Sequence, residues 1–280
     1  MHKLRAIYET EHKKLLIIPF ALLFVCMGIL AFNFVSTGEV IERGIGLKGG
    51  TSITVYGDYD LSIITDSYPK AQERLLTGDQ NGARYDISID ANQAVELREE
   101  LVESGIPSES IQVESIGSSL GDSFFRQLVT ALCFAFLLMS LVVFIYFRSI
   151  VPSLAVILSA FSDIVCTAAI FSLFNIPIDG AGVAALLMLI GYSVDTDILL
   201  TSRMLKDKKH SIMNRIYSAM RTGLTMAFTT ITVVFITLML VQSEVVKQIV
   251  LILFIGLLVD LVMTWLQNAI LIRLHLEAKK

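Results

Sequence analysis

Charge is scarce in this chain. Asp, Glu, Lys and Arg make up 17% of its 280 residues, against about 25% in an average soluble domain, so a solvated surface over most of the length is excluded. Histidine occurs four times, as His2, His12, His210 and His275, in no metal-ligand spacing. The three cysteines, Cys26, Cys133 and Cys166, include no Cys-x-x-Cys pair. The segment 36–123 holds no histidine and no cysteine and shows no catalytic constellation, so neither an enzyme, a cofactor nor a resident metal is expected. Basic residues without interleaved aromatics exclude a nucleic-acid partner.

Apolar length is what the chain has instead. Hydrophobic residues reach 54% and the mean hydropathy is +0.69, more than a soluble core of this size requires. A membrane helix takes about 20 apolar residues, and six stretches qualify, near 15–35, 124–147, 151–174, 181–200, 222–241 and 249–272. The first is longer than a signal-peptide core and reads as a retained anchor. The organisation predicted is a cytoplasmic N-terminus (1–14), a first span (15–35), an exterior segment (36–123), spans two to six (124–272) and a cytoplasmic tail (273–280).

Orientation follows from Lys and Arg, which gather before the first span and in the loop from Arg203 to Arg221. The positive-inside rule makes both cytoplasmic, where they face anionic membrane lipid. The exterior segment is acidic, with 16 Asp and Glu against 6 Lys and Arg. It alternates as strands at Thr51–Tyr56, Arg84–Ile89 and Ile111–Ile116, with a helix over Asn92–Ser104 capped by Asp90 and a shorter helix over Asp66–Leu76. A flexible loop is expected at Gly78–Gly82. This order predicts a small α+β module, ferredoxin-like, between helices one and two of a six-helix bundle.

The acids inside apolar runs are the candidate site, because a carboxylate at membrane depth costs roughly 2.5 to 3.5 kcal/mol on insertion scales and faces a bundle interior or a water path. Asp163 lies on the stripe Ser159, Asp163, Thr167, and Asp260 on Gly256, Asp260, Thr264, Gln267. Asp195 lies on Ala184, Met188, Gly191, Asp195, with Asp197 beside it and Arg203 two turns on. Thr222, Thr225, Thr229 and Thr232 form another stripe in the fifth span. Such stripes suit an internal seam and are expected to converge. Two readings stay open for the acids: a proton relay, or neutral groups that hydrogen-bond neighbouring helices.

Gly44-Ile-Gly-Leu-Lys-Gly49-Gly50-Thr51 resembles the Gly-Ile-Asp-Phe-x-Gly-Gly signature of the SecD and SecF protein-export subunits of the RND superfamily. Gly191-Tyr-Ser-Val-Asp-Thr-Asp197, followed by Arg203, resembles their fourth-span motif. Length and Gly191-Tyr192-Ser193 are similar to archaeal-type SecF. Two departures stand out: Gly46 replaces an Asp, and Asp-Thr-Asp replaces the Asn-Asp-Thr of many bacterial SecF chains. The resemblance implies an RND-like half that pairs with a SecD-like subunit and assists an unfolded polypeptide through a SecYEG-type channel, with a proton-gradient link carried to Asp195 and Arg203. The alternatives are a non-conducting structural assembly subunit, or half of a lipid or small-molecule exporter of the same superfamily. Gly44, Gly49 and Gly50 read as a hinge or a tight packing point; a phosphate loop is excluded because Lys48 precedes the glycines.

Overall fold

The computed structural model describes residues 12–59, 61–69, 71–76, 82–87, 89–206, 210–241 and 243–279. The chain divides into two compact units, Arg43–Thr130 and the remainder, Met1–Glu42 with Ala131–Lys280.

In the first unit, a turn of helix α2 (Ile45–Lys48) leads into β1 (Gly50–Tyr56), α3 (Ser62–Ser67), β2 (Gln72–Leu76), β3 (Gly82–Ile87), α4 (Ala91–Glu103) and β4 (Ile111–Ile116). The sheet order is β2-β3-β1-β4, with every pairing antiparallel. That is the β-α-β-β-α-β arrangement of a ferredoxin-like module. Period-2 alternation builds its core: Ile53 and Val55 of β1 and Ala83, Tyr85 and Ile87 of β3 point to one face, where Ile64 and the α4 stripe Ala94, Leu97, Leu101 cover them. Asp90 starts α4 through a capping box with Gln93.

The helix expected over Asp66–Leu76 is corrected: it ends at Ser67, and Gln72–Leu76 is an edge strand paired with β3. Ladder bonds to β3 override the helix propensity of Ala-Gln-Glu-Arg-Leu-Leu. Residues 78–81 of the expected loop lie outside the described residues.

The glycine motif is a packing point. Gly44 caps α2 in an extended conformation, while Gly49 and Gly50 have φ of 81° and 127°, which side chains resist. A Cβ on Gly49 would strike the backbone of Ser118, and one on Gly121 would lie 2.7 Å from the Gly49 nitrogen. Two backbones thus touch at the start of α5 (Ser118–Phe147), where Arg43 also binds Asp122 at 2.9 Å.

Among the described residues, six helices are long and apolar enough to cross a membrane. They are α1 (Ile17–Thr37, preceded by a helical turn His12–Leu15), α5, α6 (Ile150–Leu173), α7 (Gly180–Lys206), α8 (Ile212–Leu240), and α9 (Glu244–Val262), which continues through a π-helical turn (Met263–Asn268) into α10 (Ala269–Ala278). This is a multi-pass membrane protein. The α6, α7 and α9–α10 spans hold the interior, whereas α1, α5 and α8 are mostly exposed. α1 packs on α6 through Leu23 and Cys26 against Cys166 and Ala169, and Asn33 donates to Ser172 at 2.6 Å. Gly256 admits Leu189 against α9.

Candidate functional site

Residues spaced by four share a helix face. Ser159, Asp163 and Thr167 of α6 therefore point one way, as do Ser193, Asp197 and Thr201 of α7, and all six are buried. From the third side come Asp260 of α9 and Thr264, Gln267 and Asn268 of the π-helical turn, each no more than 2% exposed. Thr264, Gln267 and Asn268 stand at i, i+3 and i+4, positions that share one helix face, and all three face inward.

The hydrogen bonds knit three helices. Ser193 donates to Asp163 Oδ2. Thr264 Oγ1 lies 3.0 Å from both Asp260 Oδ1 and Asp197 Oδ1. Asn268 Nδ2 donates to the same Asp197 oxygen at 2.7 Å, and Gln267 Nε2 donates to Ser162 at 3.2 Å. Asp163 Oδ1, Asp197 Oδ2, Gln267 Oε1 and Asn268 Oδ1, acceptors all, have no hydrogen-bond partner among the described residues. No basic side chain is bonded to the cluster among those residues, and no group of His, Cys, Asp and Glu there has metal-binding geometry.

The structure thus brings Asp163, Asp197 and Asp260 together and leaves out two expected members. Asp195 is exposed, on a stripe with Ala184, Met188 and Gly191 that is exposed as well. At about 100° per residue, two positions turn a side chain by roughly 200°, so Asp195 and Asp197 take opposite faces. Arg203 does not lean back toward Asp195: its guanidinium donates to the Ser218 carbonyl at 2.8 Å and hydroxyl at 3.1 Å. The fifth-span stripe is no internal seam either. Thr225, Thr229 and Thr232 are exposed, each hydroxyl donating to the carbonyl four residues back. Sequence reasoning missed Ser193 and Asn268; the four-residue spacing of Ser193, Asp197 and Thr201, parallel to that in α6, is the signal that marks the first.

Residues 97–278 match the family model for the C-terminal region of the protein export membrane proteins SecD and SecF. The chain belongs to the SecD/SecF family. Within it, the chain is 34% identical to the protein-export membrane protein SecF of Pyrococcus furiosus, over 99% of this chain and 96% of that one. It is 36% identical to SecF of Methanolacinia petrolearia, over 97% and 96%. The crystal structure of SecDF, a translocon-associated membrane protein of Thermus thermophilus, superposes with a TM-score of 0.75 at 18% identity. That match covers 96% of this chain but 38% of the larger one, so it speaks for the SecD/SecF fold alone.

Proposed function

We propose that this chain is an accessory, SecF-type subunit of the Sec protein-export machinery, which pairs with a SecD-like subunit and assists polypeptide translocation through a SecYEG-type channel. The observation that carries it is near full-length similarity to chains named SecF, joined to a closed cluster of acids within the membrane bundle. The N- and C-termini are cytoplasmic by the distribution of Lys and Arg, residues 36–123 lie outside, and the acidic α+β module there meets the emerging unfolded chain. Asp163, Asp197 and Asp260 couple the cycle to the proton gradient.

Pairing has its own support. Asp195 lies near the middle of α7 and faces outward, where lipid contact would cost about 2.5–3.5 kcal/mol. The small residues Ala184 and Gly191 on the same stripe let another helix approach closely. A partner subunit's helix with a hydrogen-bond donor covers this face.

Asp197→Asn keeps the shape and the Asn268 contact while removing the titratable group. It is expected to slow the proton-driven part of export by roughly 10²-fold, the lower end for a positioned proton-transfer group, with normal recovery of the assembled complex. Normal secretion by that variant would leave a structural subunit and no ion coupling.

A further inference from the structure

Where α5 and α7 end, away from the buried acids, three polar side chains meet at the surface of the bundle. Tyr146, one residue from the end of α5, holds its hydroxyl 3.0 Å from Ser202 Oγ, and Lys206, the last residue of α7, donates from Nζ to the same phenol oxygen at 3.2 Å. The ammonium also lies 4.9 Å from the centre of the Tyr146 ring, within cation–π range. An ammonium carries three hydrogens and no acceptor, and each hydroxyl carries one hydrogen. Whichever way the bond between Tyr146 and Ser202 runs, the two contacts leave two hydrogens on Lys206 and one on a hydroxyl. Among the described residues, the polar contacts of this ammonium are with Tyr146 and with no carboxylate. The corner therefore offers donors and positive charge, and what it fits is a group made of acceptors and negative charge.

Position in the fold says which anion. Tyr146 is 49% exposed and ends a face of α5 on which Leu138, Leu141, Val142 and Ile145 are exposed as well, the kind of surface that acyl chains cover on a multi-pass protein. A tyrosine at the end of such a helix stands level with the lipid headgroups. Arg148, exposed two residues beyond it, brings a second cation to that end of α5, and Asp207, Lys208 and Lys209, next in sequence after Lys206, add one net positive charge. The helix dipole favours a lysine in any last turn, but it does not account for two hydroxyls gathered onto the ammonium. Ser202 and Lys206 follow Asp195 by seven and eleven residues, within about 20° of its direction around the helix, so the corner borders the face of α7 assigned to a partner subunit.

We propose that Tyr146, Ser202 and Lys206 form a binding site for the phosphate of an anionic membrane phospholipid, whose acyl chains run along the exposed face of α5. Lys206 supplies the charge and two hydrogens, and the hydroxyl pair supplies a third. Tyr146 is the positioning residue: its ring and oxygen hold the ammonium, and its hydroxyl holds Ser202 beside it. A lipid seated here fills the rim of the partner face, where a gap between two subunits would otherwise leave exposed donors against hydrocarbon. The site goes beyond the export reading and does not depend on it, since lipid binding is measured on the chain itself.

The test is native mass spectrometry of the detergent-solubilised full chain titrated with dioleoylphosphatidylglycerol. Dioleoylphosphatidylcholine, which carries the same phosphate beside a quaternary ammonium, is the competitor. The wild type is expected to retain phosphatidylglycerol in preference. Lys206→Gln weakens retention by about fivefold, the factor that about 1 kcal/mol per lysine at an anionic surface corresponds to. Tyr146→Phe keeps the ring and every charge, and it weakens retention by a similar factor, as loss of one net hydrogen bond does. Arg221→Gln, which removes an exposed charge from α8, changes retention little. Wild-type binding by Tyr146→Phe, or an equal loss in Arg221→Gln and Lys206→Gln, would overturn the proposal by reducing the site to diffuse surface charge. Equal retention of the two lipids would overturn it as well, and so would displacement of the lipid by millimolar inorganic phosphate at matched ionic strength, which would make the corner a site for a free anion. Circular dichroism of each variant confirms that the helices are intact, so a loss of lipid is not a loss of fold.

Discussion

Three glycines of the Arg43–Thr130 unit separate two physical costs that are usually confounded. Gly105 has φ of 98° with nothing within 4 Å of where a Cβ would stand, so Gly105→Ala meets backbone strain alone. Left-handed geometry costs a side-chain-bearing residue about 1–2 kcal/mol, partly offset by about 0.4–1 kcal/mol from the stiffer unfolded chain. Gly121 is helical, but its Cβ would lie 2.7 Å from the Gly49 nitrogen and 3.1 Å from the Lys48 carbonyl carbon. Backbone cannot rotate aside, so Gly121→Ala is an overpacking change of about 1–3 kcal/mol. Gly49 combines φ of 81° with a Cβ site on the Ser118 backbone, and the sum predicts about 2–4 kcal/mol for Gly49→Ala. Hydrogen exchange of the β1–β4 amides in the detergent-solubilised chain reads the local stability of this unit, and the expected order of loss is Gly49, Gly121, Gly105. Equal losses in Gly49→Ala and Gly105→Ala would refute the close contact between the glycine motif and the start of α5.

Asp195→Leu removes a carboxylate that faces outward from mid-helix, so the isolated chain should gain about 3 kcal/mol in lipid while recovery with a SecD-like subunit falls; unchanged copurification would mean another face makes the pair. Burial, with a hydrogen bond to Glu73 at 2.8 Å, pushes the Tyr85 phenol up to about 12. Its folded-state value lies above the unfolded one of about 10, so its stabilising contribution is complete below pH 10 and is lost as pH rises through 12. The difference between wild-type and Tyr85→Phe ultraviolet titrations should show one tyrosinate appearing near pH 12; a midpoint at 10 would contradict the buried hydroxyl.

Much of the architecture is legible because lipid imposes length and the sheet imposes alternation. Six apolar runs become six helices, and the strands at Thr51–Tyr56 and Ile111–Ile116 appear where the alternation is clean. β2 is not legible, since Gln72–Leu76 has a helix former's composition and becomes a strand only through its partner β3. The threonines of α8 mislead for a different reason: a hydroxyl that bonds its own helix needs no interior, so an i, i+3, i+7 pattern carries no information about which way it faces.

The acids of α7 show the limit of periodicity most sharply. Ala184-Met188-Gly191-Asp195 and Ser193-Asp197-Thr201 have the same spacing on opposite sides of one helix, and spacing alone does not say which stripe is inside. Partners decide it: Asp197 finds Asn268 and Thr264 on the π-helical turn, and which stripe of α7 meets that turn is set by tertiary packing. Two faces of α7 then carry two physical problems with different solutions. The inward acid is relieved within the chain, by neutral amide and hydroxyl donors. The outward acid has only small and apolar neighbours on its stripe, and under the proposed pairing its relief comes from the partner subunit. A helix that bears both is placed to tie events in the buried cluster to the contact with a partner, since rotating α7 to favour one face necessarily disturbs the other.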